Sequence, residues 1–170
     1  MSGYVIDDRV LTVKSAHYAR VEKFMQQAQQ EVPSHVHIPS PAVRELRAKL
    51  ILEEALETVY AMGVRIEARG GLRHELEISD LVFSADPPGG IVDLVEVVDG
   101  CCDIAVVTTG TLVAFGVPDT AVQKLVDDSN LEKFGPGHTI REDGKLVKPP
   151  GHQPPDIKGL LERIAVKQRA

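Results

Sequence analysis

Residues 40–63 read SPAVRELRAKLILEEALETVYAMG, and residues 92–116 read VDLVEVVDGCCDIAVVTTGTLVAFG. Both carry the spacing of a helix face, with steps of three and four: Leu46, Leu50, Glu53, Glu57 and Tyr60 in the first, Val92, Glu96, Asp99, Asp103, Val106 and Gly110 in the second. Each stripe begins apolar, turns acidic, and ends uncharged. A carboxylate in an apolar seam loses hydration at a cost of several kcal/mol, on the order of other buried ions, unless a positive charge compensates. Two such seams facing one another form a place for a divalent cation.

Outward from these helices, the chain is punctuated by breakers. A first helix is expected from about Leu11 to Gln30, with Tyr18, Val21 and Met25 on its inner stripe, ended by Pro33 to Pro39. Ser40-Pro41 is an N-cap followed by the first helical position of the second helix, which stops near Gly63. Gly63 to Gly90 alternates partly in VRIEARG, LRHELEIS and LVFSA between Gly-Gly and Pro-Pro-Gly-Gly, and reads as a small hairpin excursion; LRHELEI fits a helical turn equally well. The third helix runs from Asp93 to about Phe115, the fourth from Pro118-Asp119 to about Asn130. FGPGHTIREDGKLVKPPGHQPPD, from Phe134 to Asp156, is too rich in Gly and Pro for regular structure, and a short helix from Ile157 to Val166 closes the chain. The expectation is one all-α domain over residues 1–170: a four-helix bundle, an excursion at 63–90, and an irregular tail at 131–156.

Bulk properties fit that reading. A chain of 170 residues is long enough for one core, and with no Trp and 4% aromatics that core is Leu, Val, Ile and Ala. The net charge of −6 argues against broad nucleic-acid binding. No apolar run looks long enough to span a bilayer, and MSGYVIDDRV has no secretory core, so a cytoplasmic protein is expected, in the host cytoplasm if phage-encoded. Cys101 and Cys102 are neighbours that do not face each other on a helix, and are expected to be small buried hydrophobes without a disulfide.

The acidic residues carry the chemistry. Glu53, Glu54 and Glu57 fall within about a turn, and the positions four beyond Glu53 and Glu54 are Glu57 and Thr58, not the Lys or Arg of a solvated helix face. Glu96, Asp99 and Asp103 share a face, again without a base among them. Gly100 beside Asp99 weakens its helix by up to about 1 kcal/mol, which a close approach of ligand or backbone would explain. Hard oxygen donors without a nearby Cys or His pair select Mg²⁺ or Mn²⁺ over softer metals, with Ca²⁺ behind them. The Glu-x-x-His pairs of di-iron bundles are missing. Mg²⁺ with open positions commonly meets substrate phosphates. Lys124, Lys133, Arg141, Lys145 and Lys148 follow the acidic helices, with Asn130 one turn before Lys133; Lys124 has the strongest case for ordinary surface charge.

These residues resemble a family. Glu53-Glu54-x-x-Glu57 looks like the E-E-x-x-E motif of the MazG-like nucleoside triphosphate pyrophosphohydrolases, the all-α group that includes phosphoribosyl-ATP pyrophosphatase and dimeric dUTPases. VEVVDGCCDIAVVTTGTLVAFGV resembles their second metal helix. Ser129-Asn130-Leu131-x-Lys133 with Gly135-Pro136, then Glu142-Asp143-Gly144-Lys145-x-x-Lys148-Pro149, resembles their nucleotide-side segment. The resemblance covers roughly Val43 to Arg163, less the excursion. It implies Glu54, Glu57 and Asp103 as metal ligands, Glu53 as general base or second-metal ligand, and Asn130, Lys133, Arg141, Lys145 and Lys148 on the nucleotide. It implies two or three Mg²⁺ or Mn²⁺ ions, attack of water on the α-phosphorus to give a monophosphate and pyrophosphate, and a homodimer or homotetramer. The chain departs from the family at Gly100, where E-x-x-D places its Glu; either Asp99 or, in the register Glu96-x-x-Asp99, Glu96 takes that part. The layout looks most like the phage MazZ branch, which converts (d)GTP to (d)GMP for 2-aminoadenine synthesis. A dUTPase, a broad house-cleaning enzyme, a non-catalytic nucleotide-binding module and a purely structural helical oligomer stand as alternatives.

Other features are read as structural. His35-Val-His37 lies between prolines, as a surface loop. Tyr60 and Phe134 are expected in the core rather than stacked on a base. His138 and His152 lie near the basic tail, within reach of a phosphate or base. Gly135-Pro136-Gly137 lacks the P-loop spacing.

Overall fold

The computed structural model describes residues 5–68, 77–85, 91–142, 144–149 and 151–170. Nine regular elements follow in order: α1 (Ala16–Gln27), α2 (Pro41–Ala61), β1 (Val64–Ala68), β2 (Leu81–Ala85), α3 (Leu94–Ala114), α4 (Asp119–Glu132), β3 (Thr139–Ile140), β4 (Leu146–Val147) and α5 (Ile157–Arg169). Short 3-10 turns at Asp8–Val10 and Ile78–Asp80 precede α1 and β2. The chain divides into two compact units, one of Met1–Pro39 with Thr109–Ala170, the other of Ser40–Thr108.

The helix starts are set by side-chain caps. Ser15 Oγ accepts from the Tyr18 N–H at 3.0 Å, and Ser40 Oγ from the Val43 N–H at 3.3 Å, with Pro41 at the first helical position. Asp93 Oδ1 accepts from the N–H groups of Val95 and Glu96 at 3.1 and 3.2 Å and starts α3 in the same way. Asp156 Oδ1 holds the Gly159 N–H at 2.8 Å for α5. Gly63 at φ 71° follows α2 and Gly116 at φ 67° follows α3, where a left-handed residue ends a helix most cheaply.

In the first unit, Ile6, Leu11, Ala121, Leu125, Leu160 and Ile164 form the core cluster, flanked by Val10, Val36, Val122, Ile157 and Leu161. Tyr18, Val21 and Met25 are buried as their spacing predicts. In the second unit, α2 runs into an antiparallel β1–β2 ladder, with Val64 opposite Ala85 and Ala68 opposite Leu81. Asp93 donates its N–H to Ala61 O at 3.0 Å, so α3 starts beside the end of α2.

Several expectations need correction. The fold is mostly helical, and the described residues hold five helices, the four main ones and the terminal one; α5 is not a mere closing segment, because it contributes Leu160 and Ile164 to the core. The Gly- and Pro-rich tail is not wholly irregular, because β3 and β4 pair antiparallel, with Thr139 opposite Val147 and Ile140 opposite Leu146. Gly144, at φ 80° with open space around it, makes that turn. VRIEA and LVFSA are strands as expected, whereas most of LRHELEI and both glycine-rich breaks of the excursion lie outside the described residues. By length and composition α3 could cross a membrane, contrary to the expectation that no segment could. The same test is met by core helices of soluble proteins, and Asp99 and Asp103 would each cost about 3 kcal/mol in a bilayer centre.

Candidate metal and nucleotide site

The second unit gathers the acidic residues, but on a different line of α2 from the one the apolar spacing suggests. Arg47 and Thr58 are buried and Leu50 and Glu54 half-buried, so the inner stripe is Arg47, Leu50, Glu54, Thr58. The stripe through Leu46, Glu53, Glu57 and Tyr60 is exposed apart from Leu50. Apolar residues at Leu46 and Leu52 hid this register, because they signal an inner face and are 43% and 60% exposed instead. Arg47, 6% exposed, is the residue that sequence reasoning missed; a buried arginine on the stripe of Glu54 is visible in the 47–54–58 spacing once that stripe is known. Burial lowers the pKa of its guanidinium.

On α3 the matching line is Gly100, Asp103 and Val107, half-buried at the first two and buried at the third. A Cβ at Gly100 would stand 2.3 Å from Thr58 Oγ1 and 3.3 Å from Thr58 Cα, so the backbones of α2 and α3 meet here. The close approach expected at Gly100 is therefore that of the neighbouring helix. One turn along each helix from this contact lie Glu54 on α2 and Asp103 on α3, both half-buried. The Glu54 carboxyl is pushed above the usual range, first by partial burial and then by the charges of Asp103, Glu57, Glu53 and Asp99. Those five acids thus form one electrostatic group. Glu96, exposed in the first turn of α3, is not among the charges that act on Glu54.

No group of three His, Cys, Asp or Glu side chains among the described residues stands close enough to hold a metal ion as placed. Glu53, Glu57 and Asp99 are exposed, so the expectation of carboxylates sealed in an apolar seam is not met: the unit's own two helices and one ribbon leave that face uncovered. Chemically the donor set still fits a hard divalent cation. All five groups are carboxylates, the donor type such a cation takes, although as placed no three of them converge on one position.

The nucleotide-side candidates lie in the other unit. Asn130 is exposed at the end of α4, and its Oδ1 accepts from Lys133 Nζ at 2.6 Å. Arg141 donates its N–H to Lys145 O at 2.9 Å across the β3–β4 turn, with Lys148 exposed beyond it. Lys124 pairs with Asp128 at 2.8 Å along its own helix, as surface charge does. Phe134 is exposed rather than in the core, as is Tyr60; its ring meets the edge of His138 with centroids 5.9 Å apart. His37 is half-buried and Nε2 lies 3.0 Å from Ala114 O, so the His35–His37 loop is docked rather than loose. Cys101 and Cys102 are free and exposed, not buried, because α3 turns its Gly100–Asp103 line inward and leaves theirs outside. A cavity of about 410 Å³, lined by Asp8, Leu11, Gly159, Glu162, Arg163 and Val166 among others, contains none of the candidate residues.

Residues 18–130 match the family model of phosphoribosyl-ATP pyrophosphohydrolase, over most of the chain. The chain belongs to that family, within the MazG-like superfamily, and is an enzyme acting on a nucleotide phosphoanhydride. No protein among the curated relatives compared matches it.

Proposed function

We propose that this protein hydrolyses a (deoxy)nucleoside triphosphate at the α-phosphorus, giving a monophosphate and pyrophosphate. The observation that carries the reading is the match of residues 18–130 to the pyrophosphohydrolase family, in a chain whose α2 and α3 carry Glu53, Glu54, Glu57, Asp99 and Asp103. Glu53, Glu54, Glu57, Asp99 and Asp103 would hold Mg²⁺ or Mn²⁺, two or three ions with this many donors. Bound there, the cations supply charge neutralisation of the phosphates and a more acidic attacking water. Glu53, exposed on α2, takes the proton of that water. The new bond forms from water oxygen to the α-phosphorus, and the bond from that phosphorus to the bridging oxygen breaks. Positioning and electrostatics provide most of the acceleration. Asn130, Lys133, Arg141, Lys145 and Lys148 are assigned to the nucleotide on resemblance alone.

Within this class we place (d)GTP first, on the resemblance to the phage MazZ branch, with 2-aminoadenine synthesis as the setting and the cytoplasm, the host's if phage-encoded, as the place. The family match favours a second reading, phosphoribosyl-ATP. A homodimer or homotetramer is supported by the apolar surface at the start of α3, where Ile91, Leu94, Val95 and Val98 are all more than half exposed. Nucleic acid is not a proposed partner, given the net charge of −6, and neither is a membrane.

The test is pyrophosphate release from dGTP, GTP, dUTP, other NTPs and phosphoribosyl-ATP with Mg²⁺ or Mn²⁺. Preference for dGTP and GTP with monophosphate as co-product supports the first reading. Preference for phosphoribosyl-ATP or dUTP moves the substrate, and no release from any of them overturns the enzyme reading in favour of a binding module. Light scattering of the same preparation tests the oligomer; a monomer would remove it.

A further inference from the structure

Phe134 and His138 form a pair that core packing does not explain. Phe134 follows the end of α4, and its ring is 57% exposed. A single exposed aromatic is ordinary on a protein surface. What sets this one apart is how firmly it is held and what stands beside it. Gly135-Pro136-Gly137-His138 carries the signature of a type II turn: Pro136 supplies the fixed φ of the second position, Gly137 has φ 84° at the third, and the His138 N–H meets Gly135 O at 3.2 Å. The turn brings the imidazole back against Phe134, with centroids 5.9 Å apart and planes at 63°, the edge-to-face geometry that aromatic pairs favour. His138 Nδ1 lies 3.1 Å from the same Gly135 O. A carbonyl oxygen only accepts, so Nδ1 carries the hydrogen, and in the neutral ring Nε2 keeps its lone pair. His138 is exposed, and that nitrogen has no protein partner among the described residues. Beside the pair, Lys133 Nζ donates to Asn130 Oδ1 at 2.6 Å, which leaves two ammonium hydrogens and the Asn130 amide NH₂ for a ligand.

We propose that Phe134 and His138 hold the base of the nucleotide: Phe134 is a stacking surface for a purine, and His138 Nε2 accepts a hydrogen bond from an N–H on the edge of that base. An aromatic face, a lone-pair nitrogen against it and free cationic hydrogens next to both match a base joined to phosphates. The two rings of a purine cover more of a phenyl face than the one ring of a pyrimidine, so stacking favours purines. Guanine offers the N1–H and the N2 amino group to Nε2, and adenine its N6 amino group. The proposal rests on the reading of the substrate as a nucleotide, and it narrows that substrate. It suits dGTP, GTP and phosphoribosyl-ATP, and it counts against dUTP.

The experiment measures binding to the full chain by calorimetry in Mg²⁺ buffer, so that the result does not depend on turnover. The probes are the α,β-imido analogues of dGTP and dUTP, which resist cleavage at that bridge, and inorganic tripolyphosphate, which has no base. Wild type should bind the dGTP analogue more tightly than the dUTP analogue. Phe134→Leu should weaken the dGTP analogue about 5- to 150-fold, the range of one lost aromatic–base stack, weaken the dUTP analogue less, and leave tripolyphosphate unchanged. Phe134→Tyr should bind as wild type does. His138→Leu should weaken the dGTP analogue about 2- to 10-fold, and His138→Gln, whose amide oxygen is an acceptor, should recover most of that loss. Both side chains are exposed, so the variants should keep the wild-type circular dichroism spectrum. Should Phe134→Leu not fold, the two His138 variants decide alone. Unchanged dGTP-analogue binding in Phe134→Leu, an equal loss for tripolyphosphate, no purine preference in wild type, or no binding of either analogue would overturn the proposal. So would a Phe134→Leu variant that changes its mass by light scattering, since Phe134 would then be a contact between copies. Pyrophosphate release is read separately: protein that binds as expected but hydrolyses no nucleotide fails the enzyme reading alone, and protein that hydrolyses nucleotides with Phe134→Leu unaffected fails this proposal alone.

Discussion

Ser15 and Asp119, 104 residues apart, are tied twice: the Ser15 N–H meets Asp119 Oδ1 at 2.9 Å and its hydroxyl meets Oδ2 at 2.5 Å. Ser15 caps α1 and Asp119 opens α4, so one carboxylate fixes the starts of two helices in the first unit. The charge also helps hold Tyr18, next in line, in its protonated form: burial first, then Glu22 and Asp119, raise its hydroxyl. Hydrogen bonds to a charged group contribute about 1.5–3 kcal/mol each, and their partners are only partly buried here. Asp119→Asn should cost about 1–3 kcal/mol, read as a fall in Tm of roughly 3–10 °C, with Asp119→Ala worse. An unchanged Tm would show that solvent replaces the tie.

Gly116 is required for two reasons that substitution can separate. Its φ is 67°, and a Cβ there would stand 2.0 Å from His35 O, which is backbone and cannot turn aside. Asn tolerates a left-handed φ but brings the same Cβ. Both Gly116→Ala and Gly116→Asn should therefore lose several kcal/mol, on the order of the largest single-site effects. Gly144 has φ 80° with nothing within 4 Å, so Gly144→Asn should stay within about 0.5 kcal/mol of wild type in denaturant unfolding. Equal effects of the two Asn variants would show that φ alone matters at Gly116.

Glu54 gives a pH dependence with a definite sign. Its carboxyl is raised by partial burial first and by Asp103, Glu57, Glu53 and Asp99 after that. A raised carboxyl binds its proton more tightly folded than unfolded, so the metal-free protein loses stability as pH climbs from the ordinary Glu value through the folded one, and the penalty is complete above it. Glu54→Gln removes the penalty. The metal-free variant should melt higher than wild type at pH 7.5 and no higher near pH 4, where both states are protonated. Mg²⁺ should then raise the wild-type Tm at pH 7.5 and the variant's far less. A variant that melts lower at pH 7.5 would show that Glu54 makes a stabilising contact instead.

How far the sequence revealed this molecule depends on the kind of signal. Caps and breakers were legible because they are local: Ser40-Pro41, Gly63 and Gly116 bound their helices where their chemistry says they should. The inner stripe of α1 was legible because its apolar residues lie where they are buried. The inner stripe of α2 was not, since Arg47 and Thr58 are buried while Leu46 and Leu52 face outward, and hydrophobic periodicity cannot report a polar interior. Glu53, Glu54, Glu57, Asp99 and Asp103 stand out by type and spacing as candidates. Their grouping around Glu54, and the identity of the atom that Gly100 makes room for, needed the two helices side by side.

The remaining choice between Glu96 and Asp99 now has a physical basis. Gly100 lies against Thr58, and the charges that raise the Glu54 carboxyl include Asp99 but not Glu96. Glu96 lies one turn nearer the start of α3, beside the Asp93 cap, where a carboxylate is at home against the helix dipole without any metal. Asp99→Asn and Asp103→Asn should each lower kcat at least about 100-fold, since even residues behind a metal ligand cost 10–100-fold in metal affinity or activity. Glu96→Gln should lose no more than a few-fold. All three should keep the wild-type circular dichroism spectrum, so that lost activity is not lost fold. If Glu96→Gln proves the damaging change and Asp99→Asn the mild one, the register Glu96-x-x-Asp99 fails in one member only, and α3 must present its first turn to the substrate rather than the line through Gly100.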